Sequence, residues 1–131
     1  MKILALDYGA ARTGVAVSDA SGTIARPLTV VERAASGDGL RRIGTLVEEQ
    51  DAEAVVVGLP LTLRGEHGQQ AAETERFVEQ LRMALAVPVE TYDERFTTAL
   101  ATHAAGAAPE DARAAAHLLT SYLAWSSGAR A

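Results

Sequence analysis

The chain begins with a short run of apolar residues that ends in a carboxylate. Residues 3–6 (Ile-Leu-Ala-Leu) offer no polar position that could face solvent, so we expect a strand that is buried on both faces. Such a strand lies inside a sheet with helices on each face, which restricts the chain to a layered α/β architecture. Asp7 follows directly, where burial of an unpaired carboxylate would be costly.

The remaining apolar patterns predict the order of the elements. Short turns join the first strand to two more, and Pro27 places the third at an edge or in a bulge. Helical and compact apolar patterns then alternate. Strands are predicted at 2–8, 13–18, 23–31, 54–58 and 87–92, and helices around 40–47, 74–85, 97–106 and 109–126. This βββαβαβαα order predicts one mixed five-stranded sheet flanked by helices.

Composition narrows the classes of protein that remain. A chain of 131 residues is long enough for one domain with a core, and the absence of cysteine excludes disulfides and thiolate metal sites. No apolar run approaches a membrane span, and the N-terminus lacks a signal-peptide pattern, so we expect a cytoplasmic protein with no membrane partner. The net charge of −5 weighs against nonspecific nucleic-acid binding, yet every cationic residue except Lys2 is an arginine, which binds phosphate bidentately.

Three carboxylates lie where this order of elements could bring them together. Asp7 ends the first strand, Glu94 follows the fifth, and Asp111 lies near the start of the last helix, on its apolar side. Three carboxylates in one pocket would repel one another unless a cation neutralised them. Oxygen ligands suit Mg²⁺ or Mn²⁺, and two such ions would activate water for phosphodiester hydrolysis.

Each acid also has a purely structural explanation. Asp7 could end its strand in a turn and pair with Arg12, and Asp111 could complement the positive end of a helix dipole. Glu94 could pair with Arg95 or Arg12 at the surface. The residue types alone therefore leave both a metal site and a set of structural ion pairs open.

Four motifs, in chain order, resemble those of one protein family. They are LDYGAARTGVAVSD, VVVGLPLTLRGEHG, YDERFTT and DARAAAHLLTSYL. Together they are similar to the YqgF (RuvX-like) family of RNase H-like proteins, also known as Holliday junction resolvases or pre-16S rRNA nucleases. The resemblance covers essentially the whole chain and implies one RNase H-like domain over residues 1–131. It also implies that Asp7, Glu94 and Asp111 are catalytic acids that bind Mg²⁺ or Mn²⁺.

The resemblance further implies a substrate, which is the 5′ end of pre-16S rRNA in ribosome biogenesis. The partner would be structured RNA within a pre-ribosomal particle. A Holliday junction resolvase acting on branched DNA is an alternative, and it would need a dimer. A noncatalytic RNA-binding assembly factor and an actin-like ATPase or sugar kinase are further alternatives. No strong dimerisation stripe is visible in the sequence, so we expect a monomer or a weak homodimer.

Four residues are candidates for substrate binding. Gly9 would let the backbone approach metal or phosphate, or it only shapes the turn. Arg12 and Arg95 lie within a few residues of an acid and would contact phosphate, or they serve as structural partners of Asp7, Glu94 or Asp93. Arg64 stands where relatives have a small acidic or polar residue. It could replace a phosphate contact that is lost here, because the segment before Asp111 is shorter and less basic than in relatives.

The last helix carries two aromatic residues and one histidine that need an interpretation. Tyr122 and Trp125 could stack on bases, but packing of the helix on the sheet is the interpretation we favour. His117 is interpreted as an ordinary helix residue, because the three histidines of the chain have no metal-ligand spacing.

Overall fold

The structure is a computed structural model that describes residues 1–60, 68–96 and 109–129. Five strands form one sheet in the order β3-β2-β1-β4-β5. They are β1 (Ile3–Asp7), β2 (Arg12–Ser18), β3 (Ala25–Glu32), β4 (Ala54–Leu59) and β5 (Val89–Asp93). The helices are α1 (Gly37–Gln50), α2 (Gln69–Ala84) and α3 (Glu110–Ala129), and a 3₁₀ turn spans Glu94–Phe96. Antiparallel β1–β2 and parallel β1–β4 pairing make the sheet mixed, as predicted.

β1 is the central strand of the sheet, and both of its faces are covered. Leu4 and Leu6 pack in the layer that contains α1 and α2, whereas Ile3 and Ala5 pack in the layer formed by α3. All four side chains are buried. The expectation of a strand without a solvent-facing side is therefore confirmed, and it explains why the charge of Asp7 comes only at the strand's end.

Several element ends differ from the predicted boundaries by a few residues. β3 begins at Ala25, because the side chain of Asp19 accepts hydrogen bonds from the amides of Thr23 and Ile24 at 2.9 and 3.1 Å and holds this segment as a turn. β1 ends before Tyr8, whose ring stacks on Phe77 with centroids 4.4 Å apart. β5 begins only at residue 89, and α3 continues to residue 129.

Pro27 has the position that its lack of an N–H requires. It lies in β3, which is an edge strand, opposite Ala16 and next to a register shift between Val15 and Ala16. Both the edge and the irregularity expected from the sequence are thus confirmed. The predicted short helix at 97–106 lies outside the described residues. Within the parts of the chain that are described, no helix has the length and apolar character needed to cross a membrane.

Candidate active site

Two strands deliver acidic side chains to the same edge of the sheet. β1 and β5 both run parallel to β4 between them, so their carboxyl ends lie together. Asp7 is the last residue of β1, and Glu94 is the first residue after β5. The two side chains hydrogen-bond to each other. With Ala114 and Leu118 of α3 they line a cavity of about 280 Å³.

Gly58 provides the space that Glu94 occupies. Gly58 lies in β4, between the two strands that carry the acids. A Cβ atom on Gly58 would lie 2.5 Å from Oε1 and 2.8 Å from Cγ of Glu94. The Glu94 side chain therefore lies directly over the backbone of β4, and a larger residue at position 58 would displace it. Sequence reasoning missed this role, although a glycine inside a strand often marks such a close approach.

Gly14 provides the space that the backbone of Asp111 occupies. Gly14 lies in β2 directly opposite Asp7 in the antiparallel pair. A Cβ atom there would overlap the backbone carbonyl of Asp111. The first turn of α3 consequently packs on the bare backbone of β2, with Ala112 and Ala115 buried in the contact. This close approach brings Asp111 to the edge of the sheet where Asp7 lies.

The two acids at the cavity hold their protons unusually tightly. Burial, followed by the hydrogen bond with Asp7 and its negative charge, raises the pKa of Glu94 to about 7. Burial also raises the pKa of Asp7, and the charge of Asp111 acts in the same direction, while the hydrogen bond with Glu94 opposes them. Ionisation of both groups is therefore disfavoured, because two ionised carboxylates in contact repel each other.

Asp111 is close to this pair but has a cationic partner. Nε of Arg12 lies 3.1 Å from Oδ2 of Asp111, and both side chains are about half exposed. Among the residues described, no three Asp, Glu, His or Cys side chains are grouped closely enough to hold a metal ion. The structure thus brings Asp7 and Glu94 together and keeps Asp111 beside them, in an ion pair that the sequence interpretation did not include.

The other residues that the sequence predicts to bind substrate are Arg95, Gly9 and Arg64, and the structure describes the first two. Arg95 forms an ion pair with Asp93, with Nη2 and Nε at 2.6 and 2.9 Å from Oδ2, which is one of the structural alternatives left open by the sequence. Gly9 shapes the turn before β2, since a Cβ atom there would lie 2.5 Å from the carbonyl oxygen of Arg12. Arg64 lies outside the described residues.

Comparisons with known proteins agree with this fold. The family model described as "RuvX: Holliday junction resolvase" matches residues 1–125. A Chloroflexus aggregans protein named "Putative pre-16S rRNA nuclease" is 50% identical over 99 residues, which are 76% of this chain and 70% of that protein. A Chloroflexus aurantiacus protein of the same name is also 50% identical over 99 residues, covering 76% of this chain and 65% of the relative.

Solved structures show the same architecture at low sequence identity. T. thermophilus RuvC in complex with a Holliday junction substrate superposes with a TM-score of 0.61 at 21% identity, covering 98% of this chain and 96% of that one. A second structure of Thermus thermophilus RuvC gives a TM-score of 0.61 at 22% identity, covering 98% and 97%. The RNase H-like fold expected from the sequence motifs is thereby confirmed.

Proposed function

This chain belongs to the RuvX family of Holliday junction resolvases and is therefore a nuclease, and we propose that Asp7, Glu94 and Asp111 hydrolyse phosphodiester bonds with a divalent cation. The observation that carries the proposal is the contact between the carboxyl groups of Asp7 and Glu94 in one cavity. Such a contact costs stability unless a proton or a cation lies between the two groups. An acid pair of this kind is what a metal-dependent hydrolase needs.

The donor set fits a hard cation. All three acids offer oxygen, the ligand atom that Mg²⁺ and Mn²⁺ prefer. Asp7 and Glu94 already converge, and a cation would neutralise the repulsion between their carboxylates. Asp111 would complete the set when its carboxylate turns away from Arg12. When bound, Mg²⁺ or Mn²⁺ would act as a Lewis acid and lower the pKa of an attacking water.

The other residues around the cavity prepare it for this chemistry. Ala114 and Leu118 form an apolar wall beside the acids, which limits water and strengthens electrostatic interactions. The guanidinium of Arg12, released from Asp111, would be free to bind a phosphate oxygen of the substrate. Exchange of partners between Arg12, Asp111 and substrate would thus couple substrate binding to completion of the acid site.

We further propose that the substrate is structured RNA at the 5′ end of pre-16S rRNA, within a pre-ribosomal particle in the cytoplasm. Two relatives at 50% identity carry the name of a pre-16S rRNA nuclease, which supports this assignment. The acids themselves act on the phosphodiester and do not distinguish RNA from DNA. A Holliday junction is the second candidate, which the family description favours.

The decisive experiment is cleavage of a pre-16S 5′-leader RNA with Mg²⁺ or Mn²⁺ by the wild type and by Asp7→Asn. We expect metal-dependent products from the wild type and a loss of about a hundredfold or more in the variant, because a metal ligand supplies several kcal/mol of transition-state stabilisation. Asp38→Asn is the matched control, since Asp38 is exposed and pairs with Arg41 on α1. Equal activity of Asp7→Asn and the wild type would contradict the catalytic assignment.

The same two proteins distinguish the alternative substrates. Cleavage of a four-way DNA junction without cleavage of the leader RNA would favour the resolvase, and sedimentation would then be expected to show a dimer. RNA binding by the wild type without any cleavage would favour a noncatalytic assembly factor instead.

A further inference from the structure

An aromatic cluster continues from the acid cavity along α3. The rings of Tyr92, Tyr122 and Trp125 contact one another, with centroids 5.6, 5.8 and 5.9 Å apart. The chain has only one Trp, three Tyr and two Phe, so half of its aromatic side chains gather here. Tyr92 precedes Glu94 by two residues, and Tyr122 lies one helical turn beyond Leu118, which lines the cavity. The cluster and the acid site are therefore continuous.

The two tyrosines form a fixed base, and the indole of Trp125 rests on it. Tyr92 shares a hydrogen bond of 2.8 Å with the hydroxyl of Ser121, and the hydroxyl of Tyr122 donates to Glu90 at 2.6 Å. Both tyrosines are buried, whereas Trp125 is 48% exposed. Packing of α3 on the sheet thus explains the tyrosines, as favoured from the sequence, but leaves half of the indole facing solvent.

Trp125 lies at a distance from the acid cavity that a few nucleotides of a strand can span. Seven residues separate Leu118 from Trp125, which at about 1.5 Å per residue places the indole about 10 Å along the helix. A stacked nucleic-acid strand advances by ~3.4 Å per nucleotide, so this distance corresponds to about three nucleotides. A strand that followed α3 from a phosphodiester at the acids would therefore bring a base to the indole.

The charge of the chain makes a contact to bases important. The formal net charge is −5, and Arg12 and Arg95, the two arginines expected to contact phosphate near the acids, form ion pairs with Asp111 and Asp93. Attraction to the phosphate backbone is then weaker than in a basic nuclease. Stacking on an aromatic face is available to every base and does not depend on net charge.

We propose that the exposed indole of Trp125, held in place by Tyr92 and Tyr122, is a stacking platform for an unpaired nucleobase of the substrate strand. The inference rests on the proposed nuclease function, because it assumes that the strand's phosphodiester lies at Asp7 and Glu94. It adds a base-binding site on α3 to a set of residues that otherwise contact only the backbone of the substrate.

The first test uses Trp125 as its own reporter, since the chain has no other tryptophan. The full chain is titrated with single-stranded oligo(dT) of eight nucleotides in EDTA, so that no cleavage occurs. We expect saturable quenching of the tryptophan emission, and weak quenching by an abasic oligonucleotide of the same length. Absence of quenching by oligo(dT), or equal quenching by the abasic strand, would overturn the proposal.

The second test measures the affinity for labelled oligo(dT) by fluorescence anisotropy. Trp125→Ala is expected to weaken binding by about 5- to 100-fold, because base stacking is worth ~1–3 kcal/mol, and Trp125→Phe should retain most of the affinity. Met83→Ala is the matched control, since Met83 is 89% exposed on α2, in the other helical layer. Loss of affinity in the control equal to that in Trp125→Ala would overturn the proposal.

Two further measurements separate this proposal from the nuclease assignment. Trp125→Ala should hydrolyse bis(p-nitrophenyl) phosphate, which has no base, as fast as the wild type, and Asp7→Asn should still show quenching by oligo(dT). Quenching in a protein that cleaves nothing would support the platform and reject the nuclease. Cleavage by a protein that shows no quenching would do the reverse. A change in tryptophan emission and sedimentation with protein concentration alone would assign the cluster to a contact between two copies.

Discussion

Carboxylates have opposite surroundings in the turn before β3 and in the acid cavity. Asp19 in the turn accepts hydrogen bonds from Ser21, Thr23 and Ile24, and these donors lower its pKa to about 2. In the cavity, burial and contact between acids raise the pKa of Glu94 to about 7. The donors around Asp19 stabilise the folded protein when the acid is ionised, whereas contact between Asp7 and Glu94 opposes folding when both acids are ionised, as expected if the proposed cation binds between them.

The largest effect is expected where α3 meets the sheet. Gly14→Ala would place a methyl group into the backbone of the first turn of α3, which cannot move aside as a flexible side chain can. We expect a loss of about 3 kcal/mol or more in the free energy of unfolding, together with loss of cleavage. Urea unfolding followed by circular dichroism measures this.

A glycine where a methyl group meets only a side chain provides the control for Gly14. Gly44 in α1 is suitable, because a Cβ atom there would lie 3.7 Å from Cδ2 of Leu85, an ordinary van der Waals contact. Gly44→Ala should unfold at the same or a higher urea concentration than the wild type, since alanine favours helix. A Gly14→Ala protein as stable as the wild type would show that α3 does not depend on close contact with β2.

The next effect separates catalysis from stability. Gly58→Ala would press on the carboxyl end of Glu94, which can rotate away, so the fold should persist. The displaced acid would no longer meet Asp7, and we expect the rate of RNA cleavage to fall about 10- to 100-fold, as for other residues that orient metal ligands. Cleavage rates, together with the urea midpoint, measure the two effects. A fall in stability with an unchanged cleavage rate would place Glu94 outside the catalytic site.

Features of the fold that depend on residues close together in the sequence could be predicted from the sequence. The apolar run before Asp7 and the alternating patterns after residue 31 are local signals, and they led to the correct sheet and to the two acids that meet. Arg95 and Asp93 are sequence neighbours, and their pairing was among the alternatives considered.

Contacts between residues far apart in the chain were beyond the sequence patterns. The pairing of Arg12 with Asp111 and the roles of Gly14 and Gly58 depend on the distance at which α3 and the 3₁₀ turn approach the sheet. Small residues of the sheet and of α3 set that distance. The sequence alone does not tell whether a small residue faces a void, a backbone or a carboxylate.

The smallest effect tests the difference between the two kinds of carboxylate directly. A raised pKa in the folded state means that Glu94 contributes stability below the ordinary pKa of a glutamate, near 4.5, and that this contribution is lost as the pH rises through about 7. Glu94→Gln removes that loss. In EDTA its melting temperature should exceed that of the wild type by about 2–4 °C at pH 8, allowing for solvent screening, and by less at pH 5.

Asp19→Asn is the matched control for Glu94→Gln, with the opposite sign. The lowered pKa of Asp19 gives stability that is present above about pH 4 and is lost as the pH falls through about 2. The melting temperature of Asp19→Asn should therefore be lower than that of the wild type at neutral pH, and the difference should become smaller in acid. At pH 8, added Mg²⁺ should make the wild type melt above Glu94→Gln, because the proposed cation site would stabilise the wild type more than the variant. Scanning calorimetry with and without Mg²⁺ measures all of these differences. If Glu94→Gln melts with the wild type at every pH, burial and contact with Asp7 do not raise the pKa of Glu94 in the folded protein, and the contrast between the two regions fails.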